Sequence, residues 1–378
     1  MNEHRPAKLE NVTDSASPRP LATDLVDLPL REWTPRSQMR GPRSAVETPA
    51  TWCIDVHNHL GRWLTDGGWM IDDVDELVRL MDRRHVEAIV NLDGMWGAEL
   101  DANVTRYDRA HPGRFFTFCQ LDWKLLADAD ADGTAALVHQ IEDAARRGAR
   151  GVKVWKNLGL GFRDHQGRLV APDDERVVAV LRRAGELGLP VLIHTADPAA
   201  FFEPLDACNE RLDELRGQPD WWFGDLDRYP SFDELLDAHA RLVLACPGTT
   251  FIGAHVGCAA EDLDRVERLL AAAPRYHVDI AGRMAELGRQ PRRFAALVER
   301  FGDRVLFGTD IYPVSDEQYA LHYRFLESAD EGFAYAPSEP IPPQGRWAVS
   351  AAALPPHALP ALYRGNAARI LRLDDVPT

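Results

Sequence analysis

The sequence predicts a (β/α)8 barrel, an α/β fold of the TIM type, on three observations. Short apolar runs recur near 53–58, 86–92, 115–121, 149–155, 189–194, 250–255, 276–280 and 304–309. They do not alternate strictly with polar residues, which is the pattern of parallel strands buried on both faces. Helical periods lie between them. Finally, five of the runs finish on a side chain able to do chemistry, and a parallel barrel carries its chemistry at the carboxyl ends of its strands.

The elements follow in order. Residues 1–48 read as an N-terminal arm: Ser15 to Pro20 and Trp33 to Arg43 are rich in Pro, Arg and Ser and show no hydrophobic period. Residues 49–378 read as the barrel. Asp72 to Arg84 places Val74, Leu77, Val78 and Met81 on one helical face. Thr134 to Arg147 does so with Leu137, Val138 and Ile141, and Asp173 to Leu187 with Val177, Val178 and Leu181. Leu263 to Ala272 and Pro291 to Arg300 continue the series, and a last helix is expected near Pro356 to Arg372. The connection from His194 to Thr250 is too long for an ordinary turn. Residues 197–235 are therefore an insertion on the catalytic face, carrying Phe201-Phe202, Trp221-Trp222-Phe223 and Tyr229-Pro230. It reads either as a lid or pocket wall or as a small satellite core. A second irregular Pro-rich stretch runs from Ala336 to Arg346.

Composition bounds the function. The 378 residues are 45% hydrophobic and 27% charged, as in ordinary globular chains. A net charge of −16 argues against nucleic acid and anionic membranes as partners. The five cysteines are odd in number and form no CxxC, so no disulfide framework is expected. No apolar run approaches the roughly 18–20 residues of a membrane span. The N-terminus lacks a secretory apolar region, and a cytoplasmic location is the expectation.

The strand ends carry the candidate site. His57 and His59 flank Asn58 after the first run, so their rings share a direction and can hold one ion. Asp55 lies deeper on that face as a partner for them. Lys153 ends the fourth run, His194 the fifth, His255 the sixth and Asp310 the eighth. Imidazole nitrogens and carboxylate oxygens are ligands for a divalent transition metal. An apolar strand ending on Asp needs a charged partner for that Asp, which a metal supplies. Such a metal lowers the pKa of water to about 7, Asp310 relays the proton, and the metal or His255 polarises a carbonyl. Hydrolysis of an amide, ester or lactone is the natural outcome. Protonation of a carbon with loss of CO2 is the alternative.

The set "IDVHNH", "VLIHT", "IGAHVG", "LFGTD" and "YRGNAARIL" resembles the amidohydrolase superfamily, in particular its amidohydrolase-related branch of aminocarboxymuconate-semialdehyde decarboxylase-like enzymes, across about residues 52–372. The resemblance implies a divalent metal, zinc first and manganese or iron(II) otherwise, held by His57, His59, His194 and Asp310. His255 is then a ligand to a second ion or a catalytic group beside a single one. "GVKVWKN" places Lys153 either as a carboxylated bridge between two ions or as an ammonium that attracts an anionic substrate. Lys156 and Arg163 are weaker candidates for substrate charge, and Trp221 and Trp222 for the pocket wall. Relatives suggest a homodimer acting on a small molecule. A barrel that has lost catalysis and serves as a binding module is the third reading, disfavoured by the intact ligand set.

Overall fold

The computed structural model describes residues 25, 27–33, 35, 38–65, 67–128 and 132–373. It divides into two compact units, Met1–Gln38 and Met39–Thr378. In the first, the described residues include a helical turn, Leu30–Glu32, with Trp33 after it in an extended conformation. Ser15 to Pro20 lies outside the described residues.

Among its described residues the second unit contains eight parallel strands: β1 Cys53–Asn58, β2 Val86–Asn91, β3 Phe115–Thr117, β4 Val152–Val154, β5 Val191–Ile193, β6 Phe251–Gly253, β7 Tyr276–Asp279 and β8 Val305–Leu306. They pair in sequence order as β1-β2-β3 and β4-β5-β6-β7-β8. Hydrogen bonds close both gaps into a barrel. Cys119 pairs in parallel with Val152, and the Lys153 N–H donates to Cys119 O at 2.7 Å. On the other side the Val56 N–H donates to Phe307 O at 3.1 Å, and the Asp310 N–H to His57 O at 2.8 Å.

Around the strands lie α1 Val74–Arg83, α2 Gly97–Val104, α3 Gly133–Arg147, α4 Glu175–Glu186, α5 Phe232–Ala245, α6 Leu263–Ala272, α7 Pro291–Phe301, α8 Asp316–Glu327 and α9 Asn366–Leu371. Helices α1, α3, α4, α6 and α7 coincide with the sequence periods. Three were not read. Helix α2 is short, α8 spreads its apolar side over tyrosines and Phe325, and α5 buries a histidine, His239, in its apolar stripe. The helix expected over 356–372 is broken into a wide turn, Ala361–Gly365, and α9. Two apolar clusters fill the fold. Ile54, Val56, Val90, Phe116, Leu192, Ile252 and Leu306 form one, onto which Ala367, Ala368 and Leu371 of α9 pack. The other lies between strands and helices, and includes Val86, Val152, Val191 and Val305.

The long β5–β6 connection has structure of its own. It carries turns at Ala199–Phe201 and Pro219–Trp221 and a short helix, Leu212–Gly217. Phe202, Phe223, Tyr229 and Phe232 cluster with ring separations of 5.1–5.4 Å. Yet Phe201, Trp221 and Phe223 also line the cavity at the strand ends. Helix α5 then starts from a capping box between Ser231 and Glu234.

Candidate metal centre at the strand ends

His57 and His59 leave β1 through a disturbed register: the pairing of β1 with β2 shifts between Asp55 and Asn58. Such irregularities re-aim side chains next to active sites. Asp55 does not bond either ring. Its carboxylate accepts the His57 N–H at 3.1 Å, the Thr309 N–H and hydroxyl at 3.0 and 2.6 Å, and the Tyr319 hydroxyl at 2.9 Å. It therefore ties the ends of β1 and β8 together through their backbones.

The rings are oriented by two carboxylates that sequence reasoning missed. His59 Nδ1 bonds Asp93 Oδ1 at 2.6 Å, and His57 Nδ1 bonds Asp279 Oδ2 at 2.9 Å. A carboxylate behind a ligand imidazole fixes its tautomer and leaves Nε2 as the donor atom. Asp93 follows the run ending β2, and Asp279 ends β7. The same strand-end rule that singled out His194 would have found both.

Three imidazole lone pairs then converge on Asp310. Its Oδ1 lies 3.5 Å from His59 Nε2 and 3.8 Å from His57 Nε2, and its Oδ2 lies 3.8 Å from His255 Nε2. His255 Nδ1 meets Ala281 O at 2.8 Å; a carbonyl only accepts, so Nδ1 holds the proton. Burial, then the charge of Lys153, keeps the His57 imidazole neutral far below its usual range; burial, then Arg283, does the same to His255. Burial also raises the Asp310 carboxyl, against the pull of His59 and Lys153. His59 Nε2 and Asp310 Oδ1 are buried without a hydrogen-bond partner, as are both ring nitrogens of His194. Converging acceptors with no hydrogen between them are a fit for a cation, and the mixed N and O donor set suits a divalent one.

His57, His59 and Asp310 bring their donor atoms within 4.8 Å of one another, and His57, His255 and Asp279 form a second such group. His194 belongs to neither. Its ring packs 4.4 Å from that of His255, and its Nε2 approaches Asp197 Oδ1 to 3.3 Å without completing a hydrogen bond. Burial brings the His194 imidazole down to about 3. Lys153 is buried, with Nζ 3.3 Å from His57 Nε2. Burial lowers its ammonium to about 8, partly offset by Asp310.

The backbone here is strained. His255, Val256 and Cys258 have φ of 58°, 59° and 60°, and Asp310 has 55°. A left-handed β-branched residue such as Val256 is an outlier, of a kind that clusters at functional sites. Gly253 and Gly257 complete the turn, because a Cβ at either would strike the Tyr276 hydroxyl at 2.1 or 2.4 Å.

His194, His255 and Asp310 open into a cavity of about 830 Å³ walled by Trp63, Trp155, Trp221, Phe223 and Tyr312. Lys156 lines it but is ion-paired with Asp197, over the rings of Trp221 and Phe223. Two expectations are corrected. Arg163 turns away to donate to Gly167 O at 2.9 Å in its own hairpin turn. Trp222 swings back to donate to Glu203 O at 2.8 Å. Neither lines the cavity.

One consequence can be measured directly. Asp93→Asn should lower divalent-metal affinity about 10–100-fold, because the His59 ring loses the anion that orients it. Titration of metal-free protein with zinc or manganese, followed by calorimetry, checks this; unchanged affinity would leave Asp93 with no part in the site.

Comparison with known proteins adds the following. The family model described as amidohydrolase matches residues 54–373. No curated protein sequence matches the chain. Among solved structures, 2,6-dihydroxybenzoate decarboxylase from Rhizobium is similar at 16% identity and a TM-score of 0.53, over 86% of this chain and 99% of that one. Dihydroxybenzoic acid decarboxylase from Polaromonas sp. JS666, solved with manganese and 2-nitroresorcinol, is similar at 15% identity and a TM-score of 0.53, over 86% and 98%. An amidohydrolase from Burkholderia multivorans with bound HEPES is similar at 16% identity and a TM-score of 0.50, over 85% and 99%. At these identities the likeness is one of fold.

Proposed function

The chain belongs to the amidohydrolase family of metal-dependent barrel enzymes, and from that premise we propose that it is a hydrolase cleaving a C–N or C–O bond of a small molecule. The observation that carries the reading is the convergence of the His57, His59 and His255 lone pairs on the Asp310 carboxylate. His57, His59 and Asp310 would hold a divalent cation, with His194 and His255 beside it. Such an ion supplies Lewis acidity to a carbonyl oxygen and makes water acidic enough to attack at neutral pH.

The chain's own residues do the rest. Asp310 accepts a proton from the attacking water and returns it to the leaving nitrogen or oxygen as the C–N or C–O bond breaks. His255, with Nδ1 fixed on Ala281 O, keeps Nε2 aimed at the reacting centre as a second proton acceptor. Lys153 supplies positive charge that draws in an anionic group. The aromatic walls exclude water, which strengthens each of these interactions. Those walls also favour a second reading, decarboxylation of a planar aromatic acid, since Trp63 and Trp155 meet edge to face at 4.6 Å beside His59.

The test is a metal analysis coupled to a product screen. Purified protein should carry divalent metal, lose turnover of ester, lactone or amide substrates after chelation, and recover it on adding zinc or manganese. Full activity in metal-free protein would overturn the metal-dependent reading. Release of CO2 from 2,6-dihydroxybenzoate, with no hydrolysis across the panel, would assign the lyase reaction.

A further inference from the structure

Arg283 follows β7 by four residues, on the turn Ala281-Gly282-Arg283. The turn abuts the centre: a Cβ at Gly282 would lie 3.5 Å from His255 Nδ1 and 3.6 Å from Asp310 Oδ2. The Arg283 side chain is 7% exposed and lines the cavity. The guanidinium donates a hydrogen bond to the neighbouring Gly282 carbonyl, at 2.9 Å. Among the described residues no carboxylate comes within 4.0 Å of it. Glu214, Glu261 and Asp310 feel its charge without reaching that distance.

The other lysine and arginine that line the cavity are different. Lys156 is held by Asp197, and Arg211 by Glu214 and Glu286. A guanidinium removed from water costs several kcal/mol unless a counter-ion restores the lost solvation. Arg283 has no such ion within ion-pair distance among the described residues, and it lines the space a substrate enters. Its planar fork of N–H donors matches a carboxylate with two parallel hydrogen bonds, which an ammonium cannot do.

We propose that Arg283 is the anchor for a carboxylate group of the substrate, which makes the substrate class a small organic acid. The reacting bond is then held over the metal centre by its acid group at the Arg283 wall, with the ring or chain between them against the aromatic side. This rests on the cavity being the active site described above, but not on which bond is broken there.

Binding of benzoate and of its neutral isostere benzamide, read by quenching of the cavity tryptophans, tests the proposal in both metal-loaded and chelator-treated protein. The wild type should prefer benzoate about tenfold or more in both forms. Arg283→Gln should erase that preference and leave benzamide binding unchanged, while Arg283→Lys keeps part of it. Circular dichroism of each variant confirms folding, and the lysine variant carries the test if the glutamine variant does not fold. The proposal is overturned if wild type shows no benzoate binding or no preference for it, or if Arg283→Gln retains the preference. Should the preference vanish on chelation and survive Arg283→Gln, the metal is the acid's anchor; Arg283 then has no such role, and the hydrolase reading is untouched. Should Arg283→Gln erase the preference while metal-free protein turns over fully, the hydrolase reading fails and the acid-binding role of Arg283 stands.

Discussion

Asp310→Asn is expected to abolish turnover, by about 10³-fold or more, while leaving the protein at least as stable as the wild type. The first half follows from its position: the carboxylate faces three imidazole lone pairs and carries the proton relay. The second half follows from three local facts. Asp310 has a left-handed backbone, φ 55°, and asparagine is among the few residues that adopt it readily. Its structural hydrogen bond, to His57 O, comes from the backbone N–H and survives substitution. Burial already penalises the ionised carboxyl, so a neutral amide relieves a cost. Steady-state kinetics together with thermal unfolding checks both halves. Retained activity would remove Asp310 from the mechanism, and a large loss of stability would make it a structural residue.

Arg211→Met is expected to have the largest effect on stability, about 3–5 kcal/mol. The guanidinium is fully buried, donates to Glu214 Oε2 at 2.5 Å and is ion-paired with Glu286. Arg211 belongs to the β5–β6 insertion and Glu286 to the turn after β7, so the pair fastens one cavity wall to the other. Methionine fills the volume but strands a carboxylate that is 3% exposed. The double variant with Glu286→Gln should recover part of the loss, because the stranded charge goes with it. Denaturant unfolding of the four proteins in the cycle gives the answer. If the double variant is no better than Arg211→Met, packing and not charge is what Arg211 contributes.

Much of this architecture is legible in the sequence because buried parallel strands must be short, apolar and polar-ended. Each of the eight runs lies at a strand, and the endings on His57, His59, His255 and Asp310 do converge. Asp93 and Asp279 obey the same rule and could have been read; attention to ligands alone passed over the groups that aim them. His194 stands between His255 and Asp197 with both ring nitrogens free of hydrogen bonds, and its ring direction is a matter that no spacing encodes. Arg163 and Trp222 failed for the same reason, since loop side chains have no period to follow. Arg283 could not be found by any pattern. It is one of 43 basic residues, and its distinction is that no carboxylate among the described residues pairs with it in three dimensions.

The polar rim draws on nearly the whole barrel: His57 sits on β1 and His59 follows it, Asp93 follows β2, Lys153 sits on β4, His194 follows β5, His255 β6, Asp279 ends β7 and Asp310 follows β8. No lobe or single loop owns the centre. Inactivating lesions should consequently be scattered along the gene, at the ends of seven of the eight strands, and a random-mutagenesis map of null alleles would mark those strand ends without any coordinates.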